Sequence, residues 1–271
     1  MKGAFMKNLV FCCMILMVFI IACEKTTSPG IESKIFGTVL GPDGNPVENA
    51  KILVNFYIDS NYPIWNKKEL NENSYLTIKD SLKSDPPPPP PVNYGIQQNC
   101  PNPFTSLTQI QFCLENACIG SLWIEDMFRN EIKILIENEF FNCDNEYSIN
   151  WNGKNNDGNN IQNRIYKVLL ETDYDTYKDT LFVFKDYNEF SYEDIAPLCM
   201  SDNSGELTIH SDELPLNYVG EQYDENGNHV GEFNVTPYVD IWAFHPNYDA
   251  VHVDSMLVES GKDVHVLLEF E

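Results

Sequence analysis

The sequence predicts an all-β protein made of two β-sandwiches. Short apolar runs that alternate with a period of two recur along the 271 residues, and such alternation is typical of half-buried strands. Gly, Asn, Asp and Pro cluster between these runs, where they favour turns. No stretch has a convincing helical period. Many short strands separated by turn residues are typical of sandwich architectures.

The N-terminal strands lie within residues 34–58. The first predicted strand spans residues 35–40 and the second spans residues 51–58. Between them, residues 41–46 are rich in Gly, Asn, Asp and Pro and therefore predict a turn. Alternate side chains of the second strand share one apolar face, which contains Ile52, Val54, Phe56 and Ile58.

Residues 59–91 are interpreted as a linker. The segment is polar and weakly patterned until Pro86, where a run of six prolines begins that ends at Pro91. Such a run forms a stiff polyproline II rod. We therefore expect a rigid spacer that holds the next sandwich away from the first; docking of the rod into an aromatic groove is the alternative.

Residues 92–185 form the second predicted set of strands. Two consecutive strands contribute the buried residues Ile110, Phe112, Leu114, Leu122 and Ile124. Cys113 falls on the polar face of its strand, and further strands are predicted at 165–170 and 180–185. Residues 190–271 hold a third set of strands, which lie at 206–209, 239–244, 251–253 and 264–268, with a hairpin turn at 224–228.

Residues 1–23 have the features of a bacterial lipoprotein signal. Lys2 and Lys7 supply a positive start, and 14 uncharged residues follow from Leu9 to Ala22, a run that suits a signal and is short for a membrane span. Its end, Ile20-Ile21-Ala22-Cys23, resembles a lipobox, which implies lipidation at Cys23 and a membrane anchor. An ordinary cleaved signal and an uncleaved anchor helix are the alternatives.

The residues after the signal indicate the cellular location of the protein. Residues 24–33 form a short polar tether. The residue after Cys23 is Glu24, whereas an Asp at that position often retains lipoproteins in the inner membrane. We therefore expect an outer-membrane lipoprotein of the cell envelope, facing either the periplasm or the outside.

The charge balance excludes a nucleic-acid partner. Lys and Arg number 17 against 41 Asp and Glu, which gives a formal net charge of −24. Binding to phosphates requires cationic groups, so no nucleic acid is expected as a ligand. The same balance argues against contact of the folded surface with anionic lipids and favours a repulsive, extracytoplasmic surface.

The cysteines point to one candidate disulfide. Of eight cysteines, five lie beyond the signal, an odd number, and no Cys-x-x-Cys pair occurs. Cys113 and Cys118 flank a predicted turn at 114–117, so a disulfide across a hairpin is one interpretation and reduced thiols are the other.

Motifs of known chemistry are absent from the sequence. It contains no nucleophile elbow, no zinc-protease motif and no phosphate-binding loop, so we expect no enzyme activity and no cofactor. Zinc binding by His245, His252 and His265 is disfavoured, since histidines in strands are more often structural. Asn155 and Asp157 imitate part of a calcium loop, although a turn is the preferred interpretation.

Residues 94–171 resemble the Ig-like domain of the flagellar hook-capping protein family, a fold also used by type IX sorting domains. The family's opening motif corresponds to Gln98-Asn99-Cys100-Pro101-Asn102-Pro103-Phe104, with Cys100 in place of the usual Tyr. Its later Trp-Asp-Gly-x-x-x-x-Gly turn corresponds to Trp151-Asn152-Gly153 and Gly158. Arg129-Asn130 stands where a glycine-containing turn is usual, and Arg164 stands in place of a glycine. Because about 85 residues follow residue 185, where this predicted sandwich ends, a sorting role is disfavoured and a structural module is favoured.

The flanking residues resemble a carboxypeptidase-regulatory-like domain, a transthyretin-like sandwich. Its start corresponds to residues 35–50, but the strand that should follow appears only at Ser201–Ile209. We therefore expect an insertion: the Ig-like sandwich, residues 92–185, splits a transthyretin-like sandwich formed by residues 34–58 and 190–271. Three consecutive small units are the alternative. The resemblance implies no peptidase activity, because such domains lack the zinc ligands of the peptidase.

Two classes of function follow. The first is a non-catalytic envelope lipoprotein whose sandwiches contact a protein or a glycan, in adhesion, scaffolding or an accessory role. The second is a subunit or enzyme of extracellular polysaccharide turnover, which would need two carboxylates across one cleft. A glycan platform would use exposed aromatic rings, and the candidates are Tyr62, Trp65, Tyr187, Tyr192 and Trp242. We favour the first class.

Overall fold

The computed structural model describes residues 33–61, 77–79, 94–143 and 145–271. Its strands are β1 Lys34–Leu40, β2 Lys51–Ser60, β3 Thr77–Lys79, β4 Gly95–Cys100, β5 Thr108–Cys113, β6 Cys118–Glu125, β7 Glu131–Phe141, β8 Glu146–Trp151, β9 Ile165–Thr172, β10 Thr176–Phe182, β11 Cys199–Met200, β12 Glu206–His210, β13 Val219–Tyr223, β14 His229–His245, β15 Tyr248–Leu257 and β16 Val264–Glu269. In these described residues the helical elements are three-residue 3₁₀ turns. The all-β prediction is confirmed.

One sandwich, here called the terminal sandwich, is built from strands of both chain ends. Its first sheet has the order β12-β1-β16, and its second has the order β11-β2-β14-β13, with β15 also paired to β14. β1 runs antiparallel to β12 and parallel to β16. The two N-terminal strands thus find their hydrogen-bonding partners beyond residue 198, and they could not bury their faces as an isolated pair.

The other sandwich, here called the central sandwich, comprises β3 to β10. Its sheets have the orders β3-β8-β5-β4 and β10-β9-β6-β7. The prolines at 101 and 103, within the opening motif, both follow cis peptide bonds. The Asn99 side chain closes this loop, since its Nδ2 donates to the Pro101 carbonyl at 3.0 Å and to Thr108 Oγ1 at 2.8 Å.

The period-two patterns place the core residues as predicted. Ile52, Val54 and Phe56 are at most 2% exposed, and the terminal core adds Ile209 and Ile241 from the C-terminal strands. Ile110, Phe112, Leu114, Leu122 and Ile124 are likewise buried in the central core. The hairpin predicted at 224–228 connects β13 to β14.

The two sandwiches share side chains at their junction. Ile165 and Phe182, at the start of β9 and the end of β10, pack within the terminal core. Backbone bonds join Asn102 to Tyr223 in both directions, at 3.1 and 2.8 Å. Phe182 alone buries a full aromatic ring, worth about 1.5–3 kcal/mol. The expectation of a spacer holding the sandwiches apart is therefore wrong for the described residues, because apolar packing closes the junction directly.

The segment after β10 returns along the outer face of the second terminal sheet. Tyr187 and Ile195 pack on Leu53, Trp242 and Phe244, which point away from the terminal core. This third cluster explains why β2 and β14 carry apolar residues on both faces. A strand buried on both faces reads as a continuous apolar run.

Two details of the central sandwich differ from expectation. Cys113 is fully buried rather than on a polar face, because the alternation breaks where β5 ends. The turn at 114–117 does not close a hairpin: β5 pairs with β4 and β8, whereas β6 pairs with β7 and β9. β3, which lies inside the segment interpreted as a linker, pairs with β8.

Candidate interaction surface

The lipidation residue and part of the glycan candidates lie outside the described residues. These are Cys23, Tyr62 and Trp65. The polyproline run, Pro86–Pro91, also lies outside them.

The remaining glycan candidates are covered. Tyr187 is 2% exposed and Trp242 is 7% exposed, since they pack together in the third cluster. The Tyr192 ring is half-buried, with Lys51 Nζ lying 4.3 Å from its centroid. A flat exposed aromatic platform at these three residues is therefore wrong, because Tyr187 and Trp242 are buried in the third cluster and Tyr192 is half-buried.

Cys113 and Cys118 are both buried, at the end of β5 and the start of β6. The structure holds them as thiols. Burial is the main cause that raises the pKa of the Cys118 thiol, and the nearby Asp173 carboxylate adds to it. The disulfide remains a prediction for an oxidising compartment.

The calcium candidates form a turn. The Asn155 Oδ1 atom accepts the backbone N–H of Asn159 at 2.9 Å, and Asp157 is exposed at the tip. Gly158 follows with φ of 86°, which suits glycine. Calcium binding here remains a proposal without a complete oxygen cage among the described atoms.

The three histidines are held apart by different aromatic partners. His252 stacks on Trp242 with centroids 4.0 Å apart, His245 stacks on Tyr248, and His265 meets the edge of Phe36. Across the described ranges, no group of three or more His, Cys, Asp and Glu residues is arranged to hold a metal ion.

Sequence reasoning missed a buried lysine at the junction. Lys185 is 5% exposed, and its Nζ donates to the Asn152 carbonyl at 2.9 Å and to Asn160 Oδ1 at 2.7 Å. Burial, with a smaller contribution from the Lys154 ammonium, lowers the pKa of Lys185 to about 7. A Cβ at Gly153 would lie 2.7 Å from Lys185 Cε, so the Trp-x-Gly turn leaves room for this side chain.

The lysine belongs to a network of amides that ties the sandwiches together. Asn163 Nδ2 donates to Asn55 Oδ1 on β2 at 3.0 Å and to the Lys185 carbonyl at 2.8 Å. Asn160 exchanges backbone bonds with Asp194 and Ala196 in the returning segment. Buried polar groups that are satisfied in this way fix one geometry, and this network is structural in character.

A shallow groove lies beside the same junction. It has a volume of about 240 Å³ and is lined by residues that include Phe128, Arg164 and Glu213. Arg164 donates to the Glu213 carbonyl at 2.6 Å and lies 5.5 Å from the Phe128 ring. Pockets for small molecules usually enclose about 300–1,000 Å³, so this groove is small for a substrate site.

The opposite end of the central sandwich exposes large apolar side chains. β9 leaves the junction at Ile165 and ends at Thr172, roughly 20 Å away at the rise of an extended strand. There, Tyr174 is 69%, Phe140 is 62% and Ile119 is 48% exposed. We call these three residues the distal apolar cluster.

Strand pairing and two hydrogen bonds position the residues of the distal apolar cluster. Ile119 on β6 lies directly opposite Phe140 on β7. Ile119 N donates to Asp173 Oδ2 at 3.1 Å, and Asp173 N donates to the Ile119 carbonyl at 3.2 Å. Tyr174 therefore follows a residue that is locked to Ile119. The period-two pattern of β6 predicts that the Ile119 side chain faces outward. The sequence does not predict that Ile119 lies near Tyr174, because that depends on the order of strands in the sheet.

Comparisons with known proteins add little. No family model matches the sequence, and no curated protein matches it. The crystal structure of BcpA, the major pilin subunit of Bacillus cereus, is 7% identical, with a TM-score of 0.18 over 89% of this chain and 99% of that chain. The crystal structure of a variant of that pilin is 9% identical to this chain, with a TM-score of 0.16 over 89% of this chain and 99% of that chain. In the part of the chain that the structure describes, no helix is long and apolar enough to span a membrane.

Proposed function

We propose that this chain is a cell-envelope lipoprotein whose β-sandwiches form a non-catalytic contact module. Lipidation at Cys23 would anchor it, with the outer membrane as the expected site. The distal apolar cluster is the observation that carries the contact role: monomeric soluble proteins rarely expose contiguous apolar patches larger than a few hundred Å², and the largest patch on a monomer is often functional. Transthyretin-like and Ig-like identities for the two sandwiches, with the insertion between them, are part of the proposal.

The packing at the junction supports a role for the terminal sandwich as a rigid base that holds the central sandwich, and with it the distal apolar cluster, in position for contact. Ile165 and Phe182 enter its core, and the Asn163–Asn55 bond adds a polar tie. A junction packed in this way resists bending, so the distal apolar cluster would be held in a fixed position relative to the terminal sandwich.

Labelling with a fatty-acid analogue tests the anchor. We expect the wild-type protein to incorporate the label and to remain in the membrane fraction, whereas Cys23→Ser should lose both properties. Cys199→Ser, which removes a cysteine far from the signal, is the control and should label normally. A soluble, unlabelled wild-type protein would refute the anchor.

Protease treatment of intact and lysed cells tests whether the protein faces the outside of the cell or the periplasm. Digestion in intact cells would support contact outside the cell, and protection until lysis would support an envelope scaffold facing the periplasm. Hydrolysis of an extracellular polysaccharide by the purified protein would overturn the non-catalytic proposal.

A further inference from the structure

We propose that the distal apolar cluster docks a protein partner whose contact surface is apolar at its centre and rich in Lys and Arg around it. The proposal deepens the proposed function by naming the chemistry of the partner. It depends on that function only for the partner's location, because the binding itself requires no lipid anchor.

The first step is the chemistry of the cluster. Ile119, Phe140 and Tyr174 form one patch by strand pairing and by the two bonds between Ile119 and Asp173. An aliphatic side chain beside two rings suits a protein contact, in which aromatic residues are enriched at the centre.

The second step is the charge around the cluster. The three segments that carry it, residues 115–119, 137–141 and 171–175, contain no Lys or Arg. Their acidic side chains are all exposed, and they are Glu115, Glu137, Glu139, Glu171, Asp173 and Asp175. In these three segments every charged side chain beside the apolar patch is therefore a carboxylate, and we call these six carboxylates the rim.

The negative charge of this rim distinguishes among the possible binding partners of the patch. A second copy of the chain would bring the same carboxylates and the same net charge of −24, so like charges would oppose each other. An anionic lipid surface would be repelled for the same reason. A partner with a cationic rim gains favourable charge pairing and faster encounter, and it covers the apolar centre.

The test uses the mature chain with Cys23→Ser and three synthetic peptides. The first peptide has a central Leu-Phe-Leu flanked by lysines, the second has glutamates in place of the lysines, and the third has serines in place of the apolar centre. Binding is measured by fluorescence anisotropy at low and high salt. We expect the first peptide to bind most tightly and to bind less tightly at high salt, because salt screens the rim charges.

Matched variants locate the binding. Phe140→Ser with Tyr174→Ser should weaken the first peptide about tenfold or more, as loss of central anchors does. Val219→Ser with Leu267→Ser removes two exposed apolar side chains of the terminal sandwich and should leave affinity unchanged. Equal affinity in both double variants would overturn the proposal.

A second pair of variants separates the rim from the overall charge. Glu139→Gln with Asp175→Asn should reduce affinity more than Glu206→Gln with Asp249→Asn, which makes the same change of net charge on the terminal sandwich. Equal reductions would mean non-specific attraction to an acidic protein and would overturn the proposal. Sedimentation that reveals self-association, lost with Phe140→Ser and Tyr174→Ser, would assign the patch to a second copy and would also overturn it.

Discussion

The ring of Phe182 in the central sandwich packs against the ring of Phe233 in the terminal sandwich, with centroids 5.3 Å apart and planes inclined at 68°. Phe182 ends β10, while Phe233 lies on β14, and both are at most 1% exposed. The contact makes the stability of each sandwich depend on the other. It also means that the junction is a shared core rather than a flexible hinge.

Phe182→Ala should destabilise both sandwiches together. Removing a fully buried phenylalanine costs about 3–5 kcal/mol, and the cavity would open at the junction. Hydrogen exchange should show reduced protection in β9 and β10 as well as in β14. Phe140→Ala, which removes an exposed ring at the opposite end of the central sandwich, is the control and should leave the protection of both sandwiches unchanged. Loss of protection confined to one sandwich in Phe182→Ala would contradict the shared core.

Because Lys185 is buried, the free energy of unfolding should increase as the pH rises above about 7. Burial lowers the pKa of Lys185 from 10.5 to about 7 in the folded protein. Between these values the unfolded chain binds a proton that the folded protein does not, so the free energy of unfolding increases with pH. Below pH 7 both states are protonated and this contribution is flat. The difference between wild type and Lys185→Met in urea unfolding isolates the effect from other titrating groups.

The control for this titration is Lys154→Met, which should retain most of the pH dependence because Lys154 is the smaller cause of the shift. A constant difference between wild type and Lys185→Met from pH 7 to 10 would show that Lys185 stays protonated in the folded protein. The predicted pKa of about 7 would then be wrong.

Arg129→Gly should stabilise the protein. Arg129 has a φ of 69°, in a turn closed by bonds from the Phe128 and Asn130 amides to Asp126 Oδ1. Left-handed backbone costs a side-chain-bearing residue about 1–2 kcal/mol, which glycine avoids. Thermal unfolding should therefore shift upward, whereas Lys133→Gly, within β7, should shift it downward. An unchanged or lower midpoint in Arg129→Gly would mean that the arginine side chain offsets the strain.

Oxidation should consume two thiols if Cys113 and Cys118 can pair. Five cysteines lie beyond the signal, so a thiol count on the mature chain with Cys23→Ser under denaturing conditions should fall from five to three after mild oxidation. The reaction should be faster at higher pH, because the raised pKa of Cys118 keeps its reactive thiolate scarce near neutrality. The double variant Cys113→Ser with Cys118→Ser should show no loss. Five thiols in the oxidised wild type would refute the disulfide.

Local patterns carried the strand predictions. The alternation at Ile52, Val54 and Phe56 predicts β2 because successive side chains of a strand point to opposite faces. The Asn-Gly turn at 226–227 predicts the β13–β14 hairpin because Gly227 adopts φ of 82°. The same alternation wrongly placed Cys113 on a polar face, because two adjacent residues, Phe112 and Cys113, are both buried where β5 ends.

Long-range packing decided the candidate site. Nothing local marks Trp242 as covered, because its cover is a segment some 50 residues away in the chain, around Tyr187 and Ile195. Lys185 has the sequence context of a strand end, and only the approach of Asn152 and Asn160 makes it a buried amine. Contacts of this kind depend on sheet order, which a period-two pattern does not encode.

The sequence by itself determined the all-β class, the turn positions and the inward face of most strands, because these depend on side-chain alternation and on backbone preferences of a few neighbouring residues. The tertiary structure alone decided which strands β1 pairs with, namely β12 and β16, that Phe182 enters the terminal core, and that Ile119 lies opposite Phe140 and bonds to Asp173. Those relationships join residues far apart in the chain, and they arise from the burial of whole sheet faces rather than from local propensity.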